Sequence, residues 1–178
     1  YNDGHLMDAC NRKGSPIGSF YVPTDIDNQT RSVTEPFVGA DEPVSAADNI
    51  MARLMTSPTM PITVGSSNLS VYVKNVGSNT VTSFNVAYTN NAGTPVVQSW
   101  TGTLAPCTDT LITFSGAQQI TLGASNAIKV YTYSPNGNTD ADPTNDTISV
   151  LYKAPLSGLY TIGAGGNYPT FQAAAADL

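Results

Sequence analysis

Hydrophobic and polar residues alternate one by one through most of the chain from Asp48 to Lys153. At 68–75, for example, leucine and valine occupy every second position. A strand with one buried face produces this period of two. The same alternation predicts seven strands, at 49–55, 68–75, 84–88, 94–100, 112–114, 128–130 and 148–152.

Turn-forming residues fill the gaps between these segments. Asn-Val-Gly-Ser-Asn at 75–79 and Pro-Asn-Gly-Asn at 135–138 are examples, because asparagine and glycine accept positive φ and proline fixes a corner. Short strands separated by such turns favour two packed antiparallel sheets. We therefore predict an all-β, Ig-like antiparallel β-sandwich of about seven strands at 48–153, with Trp100 covering the core rather than stacking on a sugar.

Both flanks lack this pattern. At 1–47, glycine and proline interrupt every apolar cluster, so only Ile17–Val22 is predicted as a short strand. This irregular arm either wraps over a neighbour or is the remnant of a preceding module. At 154–178 we predict a strand at Leu159–Ile162 and a short capping helix at Phe171–Leu178, which Thr170 precedes.

Charge is sparse and acidic. Only 11% of the 178 residues are charged, against about 25% in an average soluble chain. With 13 acidic and 7 basic residues, the chain offers no basic stripe that could neutralise phosphates or anionic lipid. No apolar run approaches the roughly 18 residues of a membrane helix, and Tyr1 opens the chain without a leader sequence. We therefore expect a mature or excised segment that neither binds nucleic acid nor inserts into a membrane.

The two cysteines, Cys10 and Cys107, lie far apart, with no cysteine or histidine nearby at metal-binding spacing. A single disulfide in an oxidising compartment and two free thiols are both open interpretations. A disulfide would pin the arm to the sandwich. It would stabilise the fold by about 3–5 kcal/mol, mainly through the unfolded state.

Catalytic chemistry has few candidate residues. His5 is the only histidine and lies in the arm, where no structure would hold it beside a serine or cysteine nucleophile. His5 and Cys10 alone cannot complete a tetrahedral zinc site. We therefore expect no enzymatic activity and no resident cofactor.

One acidic loop is a candidate calcium site. Asp140, Asp142, Asn145 and Asp146 supply hard oxygen ligands at close spacing, and calcium takes roughly six to eight such ligands. The spacing does not match the helix-loop-helix calcium pattern. The alternative is an ordinary loop, in which Asn136-Gly137 turns the chain and these side chains cap their own backbone.

Residues 49–152 resemble the CARDB-type Ig-like modules of secreted Bacteroidota proteins. The matching motifs are Val-Tyr-Val-Lys-Asn-Val-Gly at 71–77, Phe-Asn-Val-Ala-Tyr at 84–88, Trp-Thr-Gly-Thr-Leu-Ala-Pro at 100–106 and the loop from Pro-Asn-Gly to Asn-Asp-Thr. These motifs belong to a fold and not to an active site. Cys107 departs from them, since such modules usually place glycine in this turn, and the departure favours the disulfide.

Residues 154–178 resemble the start of a right-handed parallel β-helix, where such a segment supplies a first strand and a capping helix. The resemblances imply export by the type IX route to the bacterial cell surface. Asp-Thr-aliphatic tripeptides at 109–111 and 146–148 are similar to O-glycosylation sites of such proteins. Thr110 and Thr147 are thus candidate acceptors, or else threonines that favour strands.

The leading hypothesis is a non-catalytic spacer or adhesive stalk in a large exported surface protein of the adhesin type, including those linked to gliding. Its partners would be neighbouring domains of the same protein, and extracellular polysaccharide or another surface. The first alternative is an accessory domain of a secreted polysaccharide-degrading enzyme with its active site on the β-helix. The second is a self-assembling filament subunit, in which 1–47 or 154–178 adds a strand to a neighbouring sheet.

Overall fold

The computed structural model describes Cys10 and residues 22–26, 28–34, 36 and 46–175. Nine strands and one α-helix lie in these residues. They are β1 (Ile50–Ser57), β2 (Gly65–Ser67), β3 (Leu69–Asn75), β4 (Val81–Asn90), β5 (Val96–Leu104), β6 (Asp109–Phe114), β7 (Ile120–Leu122), β8 (Ser125–Tyr133), β9 (Thr147–Lys153) and α1 (Phe171–Ala175). Two short 3-10 turns, Gly116–Gln118 and Pro135–Gly137, precede β7 and follow β8.

Two antiparallel sheets form the body of the molecule. One contains β1, β3 and β6 with β3 in the middle, and the other has the order β5-β4-β8-β9. A separate ribbon pairs β2 with β7. All of these pairs are antiparallel. The predicted all-β antiparallel sandwich is therefore confirmed, and its seven predicted strands are β1, β3, β4, β5, β6, β8 and β9.

The core lies between the two sheets. In β3, Val71 and Val73 are fully buried, whereas Tyr72 on the opposite face is 36% exposed. Tyr88 of β4 meets Phe114 of β6 edge to face, with ring centroids 4.9 Å apart. This contact joins the two sheets. Each fully buried apolar side chain of this kind contributes about 1.5–3 kcal/mol.

Trp100 covers one edge of this core. Its ring stacks on Phe84, with the two centroids 4.8 Å apart, and the side chain is partly buried. Gly102 leaves room for the indole, because a Cβ atom there would lie 2.6 Å from the ring. Trp100 therefore packs against the core, in the position that the sequence predicts.

The sequence does not predict β2 and β7. Each has three residues, and β2 is Gly-Ser-Ser. Three residues are too few to show a period of two, and a glycine-serine segment has low intrinsic strand propensity. The pairing of β2 with β7 depends on contacts with the rest of the fold, which the local pattern of hydrophobic residues does not show.

The predicted strand at Leu159–Ile162 is wrong. Ile162 makes a single parallel bridge to Tyr168, and Asn167 closes the loop between them. The Oδ1 atom of Asn167 accepts hydrogen bonds from the N–H and the hydroxyl of Thr161 at 3.0 and 3.1 Å. Glycines with positive φ turn the chain in this loop, so a local turn replaces the strand.

The helix α1 begins at Phe171, as predicted. Thr170 Oγ1 accepts a hydrogen bond from the N–H of Ala173 at 3.1 Å, as an N-cap does. The predicted helix end at Leu178 lies outside the described residues, as does His5. The predicted strand at Ile17–Val22 also lies outside them except for Val22, which is in no strand.

The sandwich begins and finishes at opposite ends. Ile50, the first residue of β1, pairs with Asn75, the last residue of β3, at what we call the amino end. Strand β9 also begins at the amino end, because the loop before it contacts Ile50. Its last residue, Lys153, pairs with Ser125 at the opposite end, which we call the carboxyl end.

Candidate functional site

The acidic loop, residues 134–146, joins β8 to β9 and packs against the start of β1. Asp140 Oδ2 accepts a hydrogen bond from the N–H of Ile50 at 2.9 Å. The N–H of Ala141 donates to the carbonyl oxygen of Asp48 at 3.1 Å. Asn145 Nδ2 donates to Asn49 Oδ1, also at 3.1 Å. The loop therefore fixes the point at which the chain joins the sandwich.

Asp48 is the main acceptor at this contact. Its carboxylate accepts hydrogen bonds from the side-chain amides of Asn136 at 2.8 Å, Asn138 at 2.7 Å and Asn79 at 3.2 Å. The hydrogen bond from Asn136 is the largest effect and lowers the pKa of Asp48 from its ordinary value, against an opposing effect of partial burial. Sequence reasoning missed this residue, because its three partners lie 31 to 90 positions away.

Asn136 links the acidic loop to β4. Its backbone is left-handed, with φ 52°, a conformation that asparagine tolerates. Its side-chain oxygen accepts hydrogen bonds from the N–H and the hydroxyl of Thr82 at 2.7 and 3.0 Å. Its amide also donates to the carbonyl oxygen of Thr80 at 3.2 Å. One side chain thus joins the turn, the start of β4 and Asp48.

Two of the four calcium candidates face a common cleft. Asp140 and Asp146 line an open cavity of about 330 Å³ together with Tyr133 and other residues of the loop. Asp142 instead accepts hydrogen bonds from the N–H and hydroxyl of Thr144, at 3.1 and 2.6 Å, and from Asn145 Nδ2 at 3.1 Å. Among the described residues, no three histidine, cysteine or acidic side chains are arranged to hold a metal. Calcium binding stays a prediction.

Burial changes the acidity of both carboxyl groups in the cleft. It raises the pKa of Asp146 to about 7, and repulsion from Asp140 adds to the effect. Burial also raises the pKa of Asp140, although hydrogen bonds from the N–H groups of Ile50 and Asp142 oppose it. Thr132 Oγ1 lies 3.4 Å from Asp146 Oδ1, longer than most hydroxyl hydrogen bonds. Asp146 can therefore exchange a proton near neutral pH.

The disulfide lies at the same end of the sandwich. Cys10 and Cys107 are joined, with Cα atoms 5.3 Å apart and a sequence separation of 97. Cys107 is in the turn between β5 and β6, has φ 63° and is exposed. A positive φ usually favours glycine, so the backbone of this turn suits glycine better than cysteine.

The two candidate glycosylation sites differ in exposure. Thr147 is exposed and is the first residue of β9. Thr110 lies in the edge strand β6, is partly buried and pairs with Val73 of β3. O-glycosylation at either threonine stays a prediction, and Thr147 offers the more accessible hydroxyl.

In the part of the chain that the structure describes, no helix has the length and the apolar surface that crossing a bilayer requires.

Comparisons with known proteins give structural neighbours only. No family model and no curated protein matches the chain. A solution structure of a domain from Methanosarcina acetivorans, provisionally described as part of a cell surface protein, is 21% identical, has a TM-score of 0.48 and aligns over 62% of this chain and 95% of its own. The crystal structure of the CARDB domain of a Pyrococcus furiosus protein, in complex with di-metal ions, is 20% identical, has a TM-score of 0.46 and aligns over 64% and 95%.

A solution structure of the same Pyrococcus furiosus domain is 21% identical, has a TM-score of 0.48 and aligns over 63% of this chain and 99% of its own. Two of these three neighbours are thus CARDB domains, the type of module that the sequence motifs resemble. Identities of 20–21% and TM-scores below 0.5 do not carry a function from these proteins to this chain.

Proposed function

We propose that the sandwich is a non-catalytic spacer within a larger protein outside the cell. The observation that carries the proposal is the position of its two ends. Strand β1 begins at the amino end and β9 finishes at the carboxyl end. A module of this kind adds its own length to a row of domains. The seven residues of β9 alone span roughly 23 Å.

Cross-links at the amino end support a stiff module. The acidic loop binds the first residues of the sandwich through Asp48 and Asp140, and the disulfide attaches Cys10 to the turn before β6. Disulfides persist in oxidising surroundings such as the cell exterior. The hydrogen bonds of the acidic loop and the disulfide both help a domain to keep its shape outside the cell.

The sequence resemblance supports the finer part of the proposal. In this proposal the protein is a surface adhesin exported by the type IX route, and Thr110 and Thr147 carry O-glycans. Residues 1–47 form an arm, 48–153 form the sandwich, and 154–178 lead into a β-helix. The direct partners are neighbouring domains of the same protein, and a polysaccharide or another surface is contacted elsewhere on it.

A domain exchange in the native protein tests the spacer role. Residues 48–153 are replaced by an unrelated antiparallel sandwich whose two ends also lie far apart, together with Cys10→Ser so that no free thiol remains. A spacer tolerates this exchange, so surface exposure and cell attachment should stay near the parental level. Deletion of the same residues is the control and should reduce attachment. Loss of attachment after the exchange, with surface exposure unchanged, would assign a specific binding role to the sandwich instead.

Self-assembly by strand addition is a second candidate. Strands β1, β6, β5 and β9 are the edges of the two main sheets, and an edge strand has backbone groups that another chain can pair. Light scattering of the full chain, and of forms lacking 1–47 or 154–178, tests this candidate. Polymers that either deletion abolishes would support it, whereas a monomer in all three forms would exclude it.

A further inference from the structure

A disulfide and two edge strands meet at the amino end of the sandwich. Strand β1 begins there at Ile50, and β6 begins there at Asp109, which pairs with Lys74 of β3. Cys107 precedes β6 by two residues and is bonded to Cys10. The chain ahead of Cys10 is therefore connected to the sandwich by two routes, one through β1 and a shorter one through the disulfide.

We propose that this disulfide redirects tension from β1 to β6. The inference rests on the proposed spacer function, because a spacer between domains is pulled along its length. The bond closes the chain from Cys10 to Cys107 into a covalent loop. When a force is applied to the chain ahead of Cys10, the disulfide carries it. The loop from Cys10 to Cys107 then bears no tension. Tension then reaches the sandwich at Cys107 and leaves it at Lys153.

The pairing of β6 resists such a force better than the pairing of β1. Strand β6 forms six consecutive pairs with β3 over Asp109–Phe114, without a register shift. Strand β1 also pairs with β3, but its register shifts between Ala52 and Leu54 and again between Met55 and Ser57. Such irregularities interrupt the ladder of hydrogen bonds. The disulfide therefore transfers the tension from β1, whose hydrogen-bond ladder with β3 is interrupted, to β6, whose ladder with β3 is continuous.

The direction of the pull also matters. Both β6 and β9 run from the amino end to the carboxyl end. Pulling Cys107 and Lys153 apart therefore slides β6 lengthwise along β3. Hydrogen bonds in an antiparallel pair are perpendicular to the strands, so they are stretched together rather than one after another. Ile112 and Phe114, which are buried, must leave the core in the same step.

Single-molecule force spectroscopy of the full chain, held by its first and last residues, tests the proposal. The oxidised parent is compared with the Cys10→Ser/Cys107→Ser double variant. The variant should unfold at a lower force. It should also extend further by about 340 Å, because the loop of 97 residue steps is released. An equal or higher unfolding force for the variant would overturn the proposal.

A second handle position shows whether the unfolding force depends on the path of the tension or only on the stability of the protein. In the oxidised parent, one handle is moved to Ala47, an exposed residue directly before the sandwich. The disulfide remains closed, but tension now enters through β1. We expect a lower unfolding force than for the handle at the first residue, although the protein is equally stable. Equal unfolding forces from both handle positions would overturn this inference and leave the spacer proposal standing. Loss of cell attachment after the domain exchange would overturn the spacer proposal without changing either unfolding force.

Discussion

The main-chain N–H of Cys107 donates a hydrogen bond of 2.8 Å to the carbonyl oxygen of Asn75, the last residue of β3. The side chain of Asn75 is fully buried and donates to the carbonyl oxygens of Leu104 and Asn79 at 2.9 and 2.8 Å. The central strand of one sheet therefore holds the turn that carries the disulfide. This support explains how Cys107 keeps a left-handed backbone, with φ 63°.

Two double variants separate the disulfide from the backbone conformation of Cys107. Cys10→Ser/Cys107→Ser should lower the free energy of unfolding by about 3–5 kcal/mol, because a closed loop of this length restricts the unfolded chain. Cys10→Ser/Cys107→Gly should be more stable than the serine variant by about 1 kcal/mol, since glycine adopts positive φ without a Cβ clash. Urea denaturation of the parent and both variants measures these differences. Equal stability of the two variants would show that the positive φ at position 107 costs the serine variant no stability.

Val73→Asp should unfold the sandwich. Val73 is fully buried in β3, and an unpaired charge in the core costs several kcal/mol. Tyr72→Asp is the matched control, since Tyr72 is the neighbouring residue, on the outer face, and is 36% exposed. Circular dichroism during heating should show a cooperative transition for the control and none for Val73→Asp. If both variants melt like the parent, Val73 does not face the core and the assigned register of β3 is wrong.

Sequence reasoning could find the seven core strands because each buries one face, so its hydrophobic period is visible locally. It could not find the β2–β7 ribbon, whose three-residue strands show no period. The site was harder still. Asp140 and Asp146 were recognisable as neighbouring acidic residues, but Asp48 lies 90 positions from Asn138, one of its donors. Local pattern reports which residues are buried and does not report which distant side chains meet.

Asp146→Asn should make the stability less dependent on pH. Burial, with repulsion from Asp140, raises the pKa of Asp146 from 3.8 to about 7. A carboxyl group with a raised folded pKa stabilises the fold below its unfolded pKa, and this contribution is lost as the pH rises through the folded pKa. The parent should therefore lose stability between about pH 4 and pH 7, whereas asparagine stays neutral throughout.

Urea denaturation at pH 5 and pH 8 measures this effect. Relative to the parent, Asp146→Asn should gain stability at pH 8 and gain less at pH 5. Asp142→Asn is the comparison variant, because Asp142 bonds Thr144 and Asn145 within the loop and does not line the cleft. Its charge makes the smallest of the contributions to the pKa of Asp146, so this variant should change the pH dependence less than Asp146→Asn does. The same gain at both pH values would show that titration of Asp146 is not its cause.

Asp48→Asn should weaken the contact between the start of β1 and the acidic loop. Asp48 accepts hydrogen bonds from Asn136, Asn138 and Asn79, and an asparagine would direct its own amide at some of these donors. Because hydrogen bonds to a charged group are stronger than those to a neutral one, we expect a loss of about 1–2 kcal/mol in the free energy of unfolding. Hydrogen exchange should also accelerate at the N–H of Ala141, which bonds the carbonyl oxygen of Asp48.

The pH dependence of the stability lost in Asp48→Asn shows whether the charge or the shape of the Asp48 side chain holds the acidic loop. The hydrogen bond from Asn136 keeps the pKa of Asp48 below its ordinary value of 3.8. A group with a lowered folded pKa stabilises the fold above its unfolded pKa and loses this contribution as the pH falls through the folded pKa. The difference between parent and Asp48→Asn should therefore be complete at pH 7 and shrink at pH values below 3.8. A difference that stays constant would mean that the loop depends on the shape of the side chain, and the carboxylate charge would have no part in fixing the amino end.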